Sequence, residues 1–367
     1  MRRILFYVSF AALVVTSPAF AGGDIYFNIA ERKAQLQQKE YAKAREYCLA
    51  GNINIPKEIP APIESLYAKE GYGNDNRMEP FTLYVMILGG RALAGDEAAA
   101  KALRDLLRSW ADADALWRTP AADKTYYPLQ RYMIPVLVNF AIVADGYSTD
   151  TRAHVEAWLD KVMRPLGKHF GGDVEHNNHR YLADSAVMAW GAYRDDDALY
   201  QQGMEGFKVA LREALADGRL PLETRRGARA SWYMRHALTN LTLMAEIARH
   251  QGDNLYDLQI DGKSVDSVMN QFITGSYAPL AILPDAAMNY KPGDSFEYLK
   301  ADAGYLKRRT DRHYMAFAEA YTAHHKSFAS LRLRQLLSKA GSYEGRPFLD
   351  DYFGGNATCF FWQPESE

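Results

Sequence analysis

The chain has 367 residues, of which 48% are hydrophobic and 13% aromatic, enough to bury one large core or two modest ones and too much for a disordered chain. Its 43 Lys and Arg against 45 Asp and Glu leave a formal net charge of −2. That balance argues against a general nucleic-acid or anionic-membrane partner, because either requires a positive surface.

The N-terminus opens with Met1-Arg-Arg, continues through an apolar run from Ile4 to Val15 and ends in small residues at Ala19-Phe-Ala21. This is the charged, apolar and small-residue pattern of a secretory signal. It predicts cleavage after Ala21, export to the periplasm, and a mature domain over 22–367 with no membrane anchor. The apolar run is short for a membrane span, and no later segment is long and apolar enough to be one. Only Cys48 and Cys359 are present. An oxidising compartment permits a bridge between them, and the sequence leaves open whether they form it.

Helical periodicity runs through nearly the whole chain, with little strand alternation. Ala30 to Leu49 is polar and charged with sparse apolar positions, and a proline-rich connection follows from Pro56 to Pro62. Amphipathic helices are then predicted over Pro80 to Leu93, Glu97 to Ala111, Leu129 to Val143 and Thr151 to Val162. Further helices are expected over Arg180 to Tyr193, Asp196 to Ala216, Arg225 to His250, Ser264 to Thr274, Arg312 to His324 and Ser327 to Ala340. Leu255 to Asp294 is richer in Gly, Pro, Asp and Asn, as a surface excursion or a lid would be. With no heptad seam or internal repeat, successive helix pairs on short breaks predict one all-α domain of helical hairpins around a common axis.

Charge is unevenly spread along this pattern. Between Arg219 and Arg235 stand five arginines and a single acid, Glu223, and a smaller basic cluster follows at Lys307, Arg308, Arg309 and Arg312. Local positive potential on a mildly acidic protein suits a bound anion. If the helix starts at Arg225, then Arg226, Arg229 and Tyr233 share one face at i, i+3 and i+7. Core packing requires no such polar stripe, so it is predicted to form the wall of an anion site.

The second stretch of interest is His176-Asn-Asn-His-Arg-Tyr181. Asn177 or Asn178 suits the N-cap of the helix expected to begin near Arg180, which leaves His179 in the first turn, where negative charge is favoured. Taken alone, the Asn pair is as well explained by capping. His176 and His179 also have the look of two metal ligands, but no nearby carboxylate or cysteine completes a ligand set.

Together the two stretches resemble the paired signature of the periplasmic alginate lyases, the poly(β-D-mannuronate) lyases. In that family an Asn-Asn-His-Ser-Tyr-Trp run precedes a Gly-x-Leu-Pro-x-Glu stretch that leads into Arg-x-x-Arg-x-x-x-Tyr. Here Asn177-Asn-His-Arg-Tyr181 is followed by Gly218-Arg-Leu-Pro-Leu-Glu, then by Arg226, Arg229 and Tyr233, in the same order and at matching separation. The resemblance covers roughly 173–252, with a looser echo at Glu319-Ala-Tyr321. It implies an incomplete (α/α) toroid acting as a monomer on an anionic polysaccharide, without cofactor or metal. It assigns Asn178 and Arg226 to the uronate carboxylate, and His179 and Tyr233 to proton transfer. Arg229, Arg131, Tyr181 and Tyr72, the last in Lys69-Glu-Gly-Tyr72 as the nearest counterpart of the family's lid tyrosine, are expected to bind substrate. Arg180 and Leu182 depart from the family's Ser and Trp, which puts the identity of the polymer in doubt.

The implied reaction, β-elimination, explains these residue types. Loss of the C-5 proton spreads negative charge into the C-6 carboxylate, so preorganised donors at that carboxylate are the main requirement. Another polyuronate such as glucuronan, or a polysaccharide-binding protein that keeps the pocket without turnover, are the alternatives. An inverting glycoside hydrolase would need two opposed carboxylates, which neither motif supplies.

Overall fold

The computed structural model describes residues 23–50, 58–67, 76–289, 303–309 and 311–364. The expected signal segment and Tyr72 lie outside these residues. Among those described, fifteen helices follow in order: α1 (Ile29–Gln35), α2 (Ala42–Leu49), α3 (Glu79–Leu93), α4 (Glu97–Asp112), α5 (Asp123–Val143), α6 (Thr149–Met163), α7 (Asn178–Arg194), α8 (Asp197–Glu213), α9 (Pro221–Thr224), α10 (Ala230–His250), α11 (Val265–Tyr277), α12 (Leu283–Ala286), α13 (Phe317–His324), α14 (Phe328–Lys339) and α15 (Ala357–Phe361). A two-stranded antiparallel hairpin, β1 (Leu349–Asp350) with β2 (Gly355–Asn356), completes them.

Many of the helices start where the sequence supplies a cap. The side chains of Asp96, Ser148, Asn177, Asp196 and Ser327 each accept a backbone N–H in the first turn of α4, α6, α7, α8 and α14. Ser264 and Ser267 form a reciprocal capping box at α11. Burial separates two layers. Along α5, α7 and α10 the buried side chains run almost without interruption, from Leu129 to Val143, Tyr181 to Tyr193 and Met234 to Ala248. Such all-round burial marks inner helices, whereas α4 and α8 bury one stripe and face solvent with the other. Inner helices α3, α5, α7, α10 and α13 follow one another in space, paired with outer helices α4, α6, α8, α11 and α14. The architecture is therefore the expected all-α, incomplete (α/α) toroid.

The two ends of the chain meet across the opening of this ring. Cys48 on α2 and Cys359 on α15 are disulfide-bonded across 311 residues, which resolves the pairing that the sequence left open. Arg32 donates to the carbonyls of Cys359 and Trp362 at 2.8 and 2.9 Å, and the Tyr26 hydroxyl to that of Phe353 at 3.0 Å. The turn between the strands, Asp351–Phe353, is carried against α5 and α10 at the axis of the toroid.

Several boundaries differ from those predicted. The polar stretch from Ala30 to Leu49 holds two helices, α1 and α2, separated by a 3-10 turn at Lys39–Tyr41. α5 begins at Asp123 rather than Leu129 and keeps Pro128 and Pro135 within it. α10 begins at Ala230, because Arg225 and Arg226 form a turn and Gly227–Arg229 a 3-10 turn, which break the α-helix expected from Arg225. No helix among the described residues is long and apolar enough to cross a membrane.

A bridge closing so long a loop removes much unfolded-state entropy. Replacing both Cys48 and Cys359 by Ser is expected to lower stability by about 2–4 kcal/mol. The urea midpoint of the double variant measures this, and an unchanged midpoint would assign the closure to packing alone.

Candidate active site

A cleft of about 350 Å³ opens at the inner face of the ring, lined from α5, the turn preceding α7, the break preceding α10, and the C-terminal turn. α5 presents Asp123, Tyr127 and Arg131 at successive i, i+4 positions along one face. Asn177 caps α7 by accepting the His179 N–H at 2.9 Å, so His179 stands in the first turn with its ring held at the cleft wall. Its Nδ1 lies 3.1 Å from Asp123 Oδ1, and the ring stacks on Tyr127 with centroids 4.3 Å apart. A carboxylate on Nδ1 selects the tautomer that carries hydrogen there and leaves Nε2 as the basic nitrogen.

On the opposite wall Gly227 adopts φ +56°, the left-handed region open to glycine, with nothing within 4 Å of where a Cβ would stand. This is where the expected helix is interrupted. Arg226 Nε donates to the Leu222 carbonyl at 2.9 Å, and its guanidinium lies 4.7 Å from the Tyr233 ring centroid. Arg229 occupies the N-cap position of α10. Among the described residues neither Arg226 nor Arg229 makes an ion pair, although both line the cleft with Tyr233. The stripe predicted at i, i+3 and i+7 of one helix thus converges by a different route, as a loop folded against a helix start.

Beneath them lies a buried ionic floor. Arg131 pairs with Asp351 at 2.7 Å, Arg312 with Asp350 at 2.5 Å and also with Asp351, and Arg235 Nη1 stands 3.9 Å from Asp350. Three guanidinium groups meet two buried carboxylates, and Arg131 Nη2 also stands 3.5 Å from Oε1 of the exposed Glu79, so the charges of the floor are held against one another in a low-dielectric setting. The Tyr127 and Tyr352 hydroxyls meet at 2.5 Å above it, and burial raises both phenols, which keeps them protonated. His236 packs its ring 4.2 Å from that of Tyr352. Burial and then the charge of Arg235 push it well below the usual histidine range, so it is neutral.

The expected site residues divide accordingly. His179, Arg226, Arg229, Tyr233 and Arg131 line one cleft. Arg131 does so from beneath, almost wholly buried and already paired. Tyr181 does not line the cleft: it is buried and its hydroxyl donates to the His176 carbonyl at 2.9 Å, because its position on α7 turns it away from the axis. Asn178 also lies behind the surface, fully buried. Its backbone N–H donates to Glu223 Oε1 at 2.6 Å and its Nδ2 to Oε2 at 2.8 Å, so the neighbour Asn177 lines the cleft instead. Asp123, Tyr127 and Tyr352 were not anticipated. An earlier start for α5 would have exposed the first two as one face with Arg131, whereas nothing local marks Tyr352, which arrives from far along the chain.

Glu223 is a buried acid without an ion pair among the described residues. Burial raises its carboxyl to about 7, opposed by the Asn178 hydrogen bonds and by the Arg226 charge. A folded-state value above the unfolded one gives a contribution that is complete below about pH 4.5 and lost as pH rises through about 7. The loss should reach on the order of 3 kcal/mol. Urea unfolding at a series of pH values should show this slope in the parent and a flatter one in Glu223→Gln, and equal slopes would place the group in a more polar setting.

Comparison with known proteins agrees with this geometry. The model of the alginate lyase family matches residues 30–280. A polysaccharide lyase of Stenotrophomonas maltophilia is 33% identical over 189 residues, 50% of this chain and 56% of that protein. An alginate lyase of Pseudomonas syringae pv. tomato is 26% identical over 160 residues, 41% of this chain and 42% of the relative. The chain thus spans about half the length of the curated relatives it matches. Among solved structures, an alginate lyase A1-III variant complexed with tetrasaccharide superposes with a TM-score of 0.79 at 20% identity, covering 95% of this chain and 98% of the other. The A1-III enzyme from Sphingomonas species A1 gives 0.75 at 21% identity, covering 93% and 96%. These structural likenesses bear on the fold, and the match over residues 30–280 carries the family: this chain belongs to the alginate lyase family.

Proposed function

We propose that the chain is a polysaccharide lyase that cleaves a β-1,4-linked polyuronate, with poly-β-D-mannuronate as the first choice, by β-elimination to leave a 4,5-unsaturated uronate end. The observation that carries this reading is the convergence of Arg226 and Arg229, both without an acidic partner among the described residues, with His179 and Tyr233 in one cleft above a floor of buried ion pairs. The names of the matched relatives, alginate and polysaccharide lyases, support the same class.

In this reading the two guanidinium groups hold the C-6 carboxylate of the sugar whose C-5 proton is removed. Their forks match a carboxylate in its plane, and they stabilise the charge that spreads into it when that proton leaves. Tyr233, with Arg226 4.7 Å from its ring centroid, accepts the C-5 proton as phenolate and returns it to O-4 as the glycosidic bond breaks. One group can serve both ends because in β-D-mannuronate and β-D-glucuronate the C-5 hydrogen and O-4 lie on the same face of the ring. His179, fixed by Asp123 and stacked on Tyr127, orients the reacting sugar and shares the base role. Asn178 acts through the wall, tied to Glu223. The fully protonated Tyr127 and Tyr352 offer hydroxyl contacts rather than base chemistry. The same reading includes a leader removed after Ala21, a single periplasmic domain over 22–367, and monomeric action.

A purified sample mixed separately with polymannuronate, polyglucuronate and polyguluronate tests the reaction. New near-ultraviolet absorbance from a conjugated unsaturated uronate is expected with the polymannuronate. Reducing ends without that absorbance would indicate hydrolysis, and binding alone a non-catalytic role.

Two substitutions test the roles. Arg226→Lys should lose about tenfold to a thousandfold in kcat/KM, since a point charge cannot reproduce the fork. Its melting temperature should change little, because Arg226 makes no ion pair among the described residues, and undiminished turnover would remove it from the site. Tyr233→Phe should fold and bind the polymer yet lose nearly all elimination. If instead it keeps most activity, the base is His179, and the hydroxyl contributes only about 0.5–1.5 kcal/mol of hydrogen bonding.

A further inference from the structure

Glu223 is a buried acid that the elimination itself does not use. It sits on α9, three residues before Arg226, and is 1% exposed. Its two oxygens accept the backbone N–H and the Nδ2 of Asn178 at 2.6 and 2.8 Å, while Asn178 Oδ1 is buried without a hydrogen-bond partner. Asn178 lies between Asn177 and His179, both of which line the cleft. The carboxylate and the amide therefore form a strut directly behind the anion site.

Other groups around this strut leave Arg226 as the cation acting on it. Tyr181 of α7 faces Glu223 as a protonated phenol, since burial first and then Glu223 raise it. Across α12, Asp285 is held by Arg219 and the Thr224 hydroxyl, each at 3.0 Å. On α10, Tyr233 lies beneath Arg226. Arg226 thus supplies the positive field that helps keep the buried Glu223 ionised. A uronate carboxylate seated at Arg226 cancels that field and adds a second anion close by, and two anions sharing one cation in a medium of low dielectric favour protonation of one.

We propose that Glu223 takes up one proton from solvent when a uronate carboxylate binds at Arg226, and that the neutral acid then donates to Asn178 Oδ1 as the amide turns end for end. The turn gives the partnerless oxygen a donor. It also carries Nδ2 to the place that oxygen now occupies, directly behind the wall formed by Asn177 and His179. The proton comes from water or buffer and returns when product leaves, so the cycle is balanced. Glu223 is on this account a positioning residue, acting through Asn178. Its carboxyl, raised to about 7 by burial, brings the uptake into the neutral range. Uptake on binding means that affinity falls as pH rises above that value, with a limiting slope of about tenfold per pH unit.

This inference rests on the proposed polyuronate site. The experiment is calorimetric titration of polymannuronate, and then the other two polymers, into the Tyr233→Phe protein near neutral pH in buffers of different ionisation enthalpy. Uptake of about half a proton is expected at a pH equal to the free-state value. Glu223→Gln in the same background should bind with that uptake abolished and with an affinity flat across neutral pH. Binding without uptake, or equal uptake in the Gln variant, overturns the proposal. Should the Gln variant not fold, infrared difference spectra of the Tyr233→Phe protein with and without polymer read the same event. A new carboxylic-acid carbonyl band is expected, and its absence overturns the proposal. Binding by the unmodified chain without unsaturated product overturns the reaction but not the proton linkage, whereas no binding by any of the three polymers overturns both.

Discussion

The site depends on a buried set of charges at the axis of the toroid. Arg131 comes from α5, Arg235 from α10, Arg312 from the approach to α13, and Asp350 and Asp351 from the C-terminal hairpin. Removing one partner from such a buried pair typically costs about 3–5 kcal/mol, because the other charge is stranded. The network therefore welds elements far apart in sequence into one floor. Asp350 also accepts the Tyr352 N–H at 3.2 Å, so the same ion pairs orient the phenol that meets Tyr127. The disulfide and the Arg32 contacts hold the C-terminal segment in the ring opening from its outer side.

This arrangement divides the arginines by task. Arg131 and Arg312 are spent on aspartates within the protein, and they supply position and background potential. Arg226 and Arg229 stand on an interrupted helix start, where the break at Gly227 lifts them off the packed face of α10 and leaves their charges to the cleft. A continuous helix from Arg225 would have placed the same residues on one stripe, but with its first turn committed to backbone hydrogen bonds.

Two carboxylates brace the start of α7 in a parallel way. Asp123 holds the His179 ring, and Glu223 holds the Asn178 amide. Asp123 is part-exposed and Glu223 is fully buried. The first keeps access to solvent, whereas the second is poised between two protonation states by the loss of solvent. Burial alone thus gives chemically similar side chains different behaviour on either side of one helix start.

Local chemistry in the sequence determined the helical class, the succession of hairpins and the N-cap within the Asn-Asn-His run. Those features follow from 3.6-residue periodicity, capping residues and short-range motifs, all of which act within a few turns of chain. Tertiary structure alone decided which of the motif residues reach the cleft. Tyr181 and Asn178 belong to the same short motif as His179, yet α7 turns both into the wall, since successive helical residues point about 100° apart and only one direction faces the axis. It decided that Arg131 is paired and Arg226 is not, because Arg131 meets Asp351, 220 residues further along the chain. It decided, too, that Cys48 meets Cys359 and that Tyr352 meets Tyr127, contacts that exist only once the ring has closed. Periodicity and motif carry no information about such long-range neighbours. The burial that makes Glu223 unusual comes with the start of α7 packed against it, Asn178 standing 45 residues away in the chain.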